Sequence, residues 1–194
     1  MSHSASIRLP RRSAGFSLTE VFVVVAVIGV ISAIALPRVG SIVDSYRLSS
    51  SVAGLAGELN VAKLKATSQL NPYQLQINVT AGTYQRYVMT SSPGVLPRTF
   101  APDPGSAPAP LPGTVSFGFG SVTVPAGSAN EQPSLAQATA ITFNSMGVPV
   151  DANGQPTAAN AIYVTYNGQT AAVTVSLAGR IEPWTWTGTQ WVSR

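Results

Sequence analysis

Few side chains in this sequence are equipped for chemistry. There is no cysteine and a single histidine, His3, beside seven Asp and Glu and eleven Lys and Arg. The missing thiols exclude cysteine nucleophiles, disulfides, cysteine-ligated metals and a lipid-modified amino-terminal cysteine. Beyond residue 3 there is no imidazole. Asp103, Glu131 and Asp151 fall on expected loops with neither His nor Cys to work with, a poor constellation for acid–base or nucleophilic catalysis. Asp151-Ala152-Asn153-Gly154 has the beginning of a calcium loop, yet one carboxylate without a following Glu supplies too few hard oxygen ligands. A turn at Asn-Gly is the simpler reading. The sequence therefore points away from an enzyme, and it calls for no cofactor and no metal.

Glu20 is the carboxylate with most to explain. It stands at the entrance of Val21 to Leu36, a run without a single charge. An ionisable group beside such a run is costly in lipid unless it finds a partner, which makes it a functional residue by default. Residues 16–36 form a helix of roughly 31 Å, enough to cross the hydrocarbon of a bilayer. Arg8, Arg11 and Arg12 precede Gly15 with no acid among them, so this flank stays in the cytoplasm and the rest of the chain lies outside it. Without that stretch, eight cations face seven acids. The pI of 9.8 thus belongs mainly to the leader and says little about partners. A cleaved secretory signal, with Ser32-Ala33-Ile34-Ala35 imitating the cut site, and an uncleaved signal anchor are alternative readings. Neither gives Glu20 a purpose.

Gly15-Phe16-Ser17-Leu18-Thr19-Glu20, followed by an apolar helix, resembles the class III leader of type IV pilins and type II secretion pseudopilins. The resemblance implies that a prepilin peptidase and methyltransferase cuts between Gly15 and Phe16 and N-methylates Phe16. It also implies that Glu20 pairs with the Phe16 amine of a neighbouring subunit, cancelling two charges that lipid disfavours. Gly29 and Pro37 match positions between which helices of the family loosen, one permissive in its backbone and the other lacking an amide donor. The partners implied are other pilins or pseudopilins and the lipid of the inner membrane. The soluble part is then expected in the periplasm or on a fibre.

The elements that carry these residues follow from periodicity. Residues 1–15 form the leader, 16–42 the membrane and assembly helix, and 43–71 its amphipathic continuation. Leu48, Val52, Leu55, Leu59, Ala62, Ala66 and Leu70 recur at steps of three or four, an apolar stripe for a core face. Glu58 and Lys65 lie off that stripe and are expected to face water. Asn71-Pro72 ends the helix. Residues 72–194 alternate as strands: Tyr73 to Val79, Tyr84 to Met89, Val115 to Phe119, Ala140 to Phe143, Ile162 to Tyr166 and Ala172 to Leu177. Asn167-Gly168 marks a tight hairpin, and a last hairpin runs through Trp184, Trp186 and Trp191. Seven prolines between Pro93 and Gly113 forbid a central strand and predict a long solvated loop; Gly127 to Gln132 reads as a shorter one. The fold class is α+β, one long helix on an antiparallel sheet of six to eight strands.

Within the pilin-like proteins, Leu55-x3-Leu59-x2-Ala62-Lys63-x2-Ala66 resembles the helix of the GspH/FimT group. Phe143-x3-Gly147 and Gly179-Arg180 are similar to its carboxyl-half features. Some members of that group bind DNA through a Gly-Arg-x-Arg turn. Here the run is Gly179-Arg180-Ile181-Glu182, with an acid in place of the second Arg. Arg180, Trp184, Trp186, Trp191 and Arg194 are the residues available for a DNA contact, a thin cationic footprint.

Overall fold

The computed structural model describes residues 15–92, 94–127, 132–158 and 160–193. The chain divides into two compact units, residues 1–41 and 42–194, and helix α1 (Leu18–Ser68, 51 residues) contributes to both. The basic stretch, Glu131 and Arg194 lie outside the described residues.

In the first unit, α1 is opened by Ser17, whose carbonyl accepts from the amides of Glu20 and Val21 at 3.0 and 3.1 Å. Its Oγ lies 2.7 Å from Thr19 Oγ1. None of the side chains from Leu18 to Ile34 is buried, and most are exposed, on every side of the helix. A helix that is apolar all round is one built for burial by something other than its own chain. This fully described stretch is 17 residues long, and no helix among the described residues is long and apolar enough to cross a membrane.

In the second unit the same helix has one covered face. Leu48, Val52, Leu55, Leu59, Ala62 and Ala66 are all buried, as their spacing requires. Leu70 does not join them. The helix stops at Ser68, Leu70 adopts a left-handed φ of 51°, and its side chain is 77% exposed. Once the helix ends, its period no longer decides which way a side chain points.

Among the described residues, eleven strands follow in two antiparallel sheets, where one sheet of six to eight was expected. The first has the order β3 (Phe100–Pro102), β2 (Thr83–Met89), β1 (Tyr73–Asn78), β6 (Ala140–Phe143) and β7 (Pro149–Val150), with β4 (Ala109–Pro110) also on β2. The second runs β11 (Trp191–Ser193), β10 (Ile181–Trp186), β9 (Gln169–Val175), β8 (Ala161–Tyr166) and β5 (Ser116–Phe117). Leu75, Ile77, Ile141 and Phe143 of the first sheet and Ile162, Val164, Val173 and Val175 of the second share one core with the helix stripe. Each such side chain is worth about 1.5–3 kcal/mol when fully buried.

The second sheet is covered on both faces. Ala161, Tyr163 and Ala172 point the other way, into a smaller cluster flanked by Phe119, Leu135, Trp184 and Trp191. This explains why β8 reads as a continuous apolar run instead of an alternating one. The hairpin between β8 and β9 is the expected one: Asn167 and Gly168 have φ of 47° and 76°, the pair of positive values that a two-residue turn of this hand demands.

The proline-rich segment is a correction to the sequence reading. It is not a free loop, because β3 and β4 both lie within it and both pair with β2. Proline lacks the amide that a central strand must donate, but an edge strand needs only half its groups paired. Tyr87 pairs with Pro102 and Thr83 with Pro110 on that edge.

Candidate functional site

The amino-terminal segment places its residues in a short order. Gly15 and Phe16 precede α1 in non-helical chain, and Phe16 is 81% exposed. Glu20 sits in the first helical turn, where unpaired amides and the helix dipole favour a negative charge. Its side chain is exposed, and among the described residues it meets no cation. Gly29 and Pro37 both lie within α1, which is helical through them. This end of the chain therefore presents an exposed non-helical segment at Gly15 and Phe16, a carboxylate one turn inside the helix, and an uncovered apolar surface.

A second constellation escaped the sequence reading. Glu58 and Lys65, expected to face water, are both ion-paired. Asp103, from the proline-rich segment, is 3% exposed. Its Oδ2 accepts from Lys65 Nζ at 2.6 Å and from Arg86 Nε at 3.2 Å. Arg86 Nη1 donates to Glu58, and its Nη2 donates to the Gly105 carbonyl at 3.1 Å. Burial by itself pushes the Asp103 carboxyl upward. Hydrogen bonds from Lys65 and Arg86, together with the Lys65 charge, outweigh it and hold the group below its usual range. Tyr84, beside this knot, is pushed up by burial and by the Glu58 charge. Two acids and two bases thus tie the proline-rich segment to β2 and to the helix. No spacing in the sequence signals it, because the partners are 17 to 38 residues apart.

The turns of the carboxyl half converge on the same helix. Lys63 Nζ donates to the Gly179 carbonyl at 2.8 Å. The Gly147 turn is closed by Asn144, whose Oδ1 accepts from the amides of Met146 and Val148 at 2.9 and 3.0 Å. A Cβ at Gly179 would collide with the Gly147 carbonyl, so the two turns touch only because one of them is glycine. The Asp151 turn is a closed loop of its own. Asp151 Oδ1 accepts from the amides of Asn153 and Gln155 at 2.9 and 2.8 Å, and Gly154 has a φ of +84°.

The described residues among those considered for DNA, Arg180, Trp184, Trp186 and Trp191, are engaged with the protein. Arg180 Nη1 pairs with Glu182 at 2.9 Å. Trp184 Nε1 donates to Thr174 Oγ1 at 2.9 Å, and Trp191 Nε1 donates to the Val124 carbonyl at 3.1 Å. The Trp191 ring lies 5.9 Å from Tyr163 and 5.3 Å from Trp186. The structure brings the three indoles to one hairpin and ties two of their N–H groups to oxygens of the chain itself.

Residues 10–36 match the prokaryotic N-terminal methylation motif. No curated protein matches the chain significantly. Solved structures that align with this chain include the minor pseudopilin EpsH from the type 2 secretion system of Vibrio cholerae. That alignment has a TM-score of 0.46 and 13% identity, over 72% of this chain and 97% of EpsH. The type IV minor pilin FimU of Pseudomonas aeruginosa aligns with a TM-score of 0.46 and 14% identity, over 77% of this chain and 95% of FimU. The expected α+β class, a long helix on antiparallel strands, is the class observed.

Proposed function

We propose that this protein is a minor pilin or pseudopilin, a structural subunit and not an enzyme, which assembles through α1 into a type IV pilus-like fibre. The observation that carries the reading is the methylation motif over residues 10–36, with Glu20 one turn inside an uncovered apolar helix. Before assembly the helix is stored in the inner membrane and the second unit faces the periplasm. A prepilin peptidase cuts after Gly15, leaving the apolar helix on the product, and the new Phe16 amine is methylated. In the fibre, Glu20 accepts the amine of a neighbouring subunit, so that neither charge is left alone among apolar side chains. Loosening between Gly29 and Pro37 belongs to that assembled state.

Replacing Glu20 with Ala is expected to leave the cut after Gly15 intact and to abolish incorporation, read by comparing processed subunit in membranes with subunit in sheared fibres. Normal incorporation of Glu20→Ala removes the mechanism. In vivo photo-crosslinking from Val23 assigns the machine. Adducts with pilus subunits place the protein in a type IV pilus. Adducts with pseudopilins make it a type II secretion component, and the absence of any pilin-like adduct overturns the assembly reading.

A further inference from the structure

The outer face of the first sheet carries a hollow of about 420 Å³ between β1, β6, the segment before β3 and the Asp151 turn. That size lies within the range of small-ligand pockets, about 300–1,000 Å³. Because Ile141 and Phe143 face the core, Thr142 between them must point outward, and it lines the hollow with Gln74, Arg98, Phe100, Val150 and Asp151.

Arg98 is the lining residue with an unsatisfied group. Its Nη1 is buried and has no hydrogen-bond partner. A guanidinium nitrogen left in that state is costly, and native structures rarely keep one without a reason. The guanidinium is also accommodated: a Cβ at Gly154 would overlap it, so the glycine leaves room for the cation. Thr142 Oγ1 accepts from Gln74 Nε2 at 3.1 Å, which leaves its own hydrogen free to donate. The hollow therefore offers a cationic fork and a hydroxyl donor against the apolar surfaces of Phe100 and Val150. Asp151, a carboxylate on the same wall, disfavours a ligand with two negative charges.

We propose that this hollow binds a monocarboxylate carried on a small apolar body. Arg98 donates to the carboxylate through its fork and Thr142 donates a further hydrogen bond, while Phe100 covers the apolar part. The same chemistry is presented by a free organic acid and by the carboxyl terminus of a polypeptide ending in an apolar residue. The site lies in the second unit and does not depend on the assembly reading.

The test uses the full-length protein in detergent micelles, titrated with 3-phenylpropionate, 3-phenylpropionamide, inorganic phosphate, and N-acetyl-Ala-Phe as free acid and as amide. Saturable binding of a free acid, at least tenfold tighter than its amide and than phosphate, is expected. The acid that binds more tightly, small or peptidic, identifies the source. Arg98→Gln is expected to abolish binding without lowering the unfolding temperature, since the guanidinium forms no hydrogen bond through Nη1. Thr142→Val is expected to weaken binding several-fold with the charge intact. No saturable binding of either acid, equal binding of acid and amide, or equal binding of phosphate overturns the proposal. So does an Arg98→Gln variant that unfolds more easily yet binds normally, because the arginine is then a scaffold residue.

Discussion

Helix α1 carries two different instructions within one element. From Leu18 to Ile34 it is apolar on all sides, and Phe22 and Val25 are 74% and 61% exposed. From Leu48 to Ala66 it is apolar on one stripe, and every residue of that stripe is at most 4% exposed. Composition alone does not separate the two, since Val, Ile, Leu and Ala serve both. Distribution around the helix does. A stripe names a neighbour within the chain, whereas an all-round apolar surface names a surrounding medium or a set of other helices. The chain thus covers one half of its helix itself and leaves the other exposed.

That contrast can be broken at its strongest point first. Asp103→Ala leaves Lys65 and Arg86 facing each other without their shared acid. It is expected to destabilise the second unit by about 3 kcal/mol, the lower end of the roughly 3–5 kcal/mol for a broken buried pair, because Arg86 keeps Glu58. Chemical denaturation measures it. Leu59→Ala, in the middle of the stripe, is expected to cost about 2–5 kcal/mol. Tyr163→Phe removes the hydroxyl that accepts from the Ala126 amide at 3.0 Å and strands a buried donor, for about 1–3 kcal/mol. Val25→Ala, in the all-apolar half, is expected to change the unfolding free energy by no more than about 0.5 kcal/mol. A Val25→Ala effect as large as that of Leu59→Ala would erase the distinction between the two halves.

Acid sharpens the comparison further. Asp103 has a depressed pKa in the folded chain, so it is protonated more readily when unfolded. Its stabilising contribution is complete above the ordinary Asp value of about 3.9 and is lost as pH falls through the folded value. Denaturation midpoints measured downward from neutral pH should show this loss in the parent and a shallower one in Asp103→Asn. An identical acid slope in both would mean that other carboxylates govern it.

Much of the architecture was legible because it rests on local rules. Six strands, the Asn167-Gly168 hairpin and the buried stripe all follow from alternation, turn chemistry and helical spacing. The misses share a cause. Leu70 was assigned to the stripe by a period that stops at Ser68. Proline marks local incompatibility with a central strand and says nothing about an edge, so β3, β4 and β7 were invisible. At the amino terminus the order was reversed: Gly15, Phe16 and Glu20 were singled out by sequence, and the structure adds only that they are exposed and that Glu20 lies in the first turn.

The sequence by itself determined the helix and most of the strands, which half of the helix carries a one-sided stripe, and where processing is expected. Those are properties of neighbours along the chain, where spacing and residue type carry the physics. Tertiary structure alone decided that Asp103 is shared by Lys65 and Arg86, that the proline-rich segment is an edge of the first sheet, and that Arg98 opens on a hollow lined by Thr142. Each depends on residues many positions apart being brought together by the packing of helix and sheets. Charge and hydrogen-bond partners chosen at that range leave no periodic trace, because their geometry exists only after the core has closed.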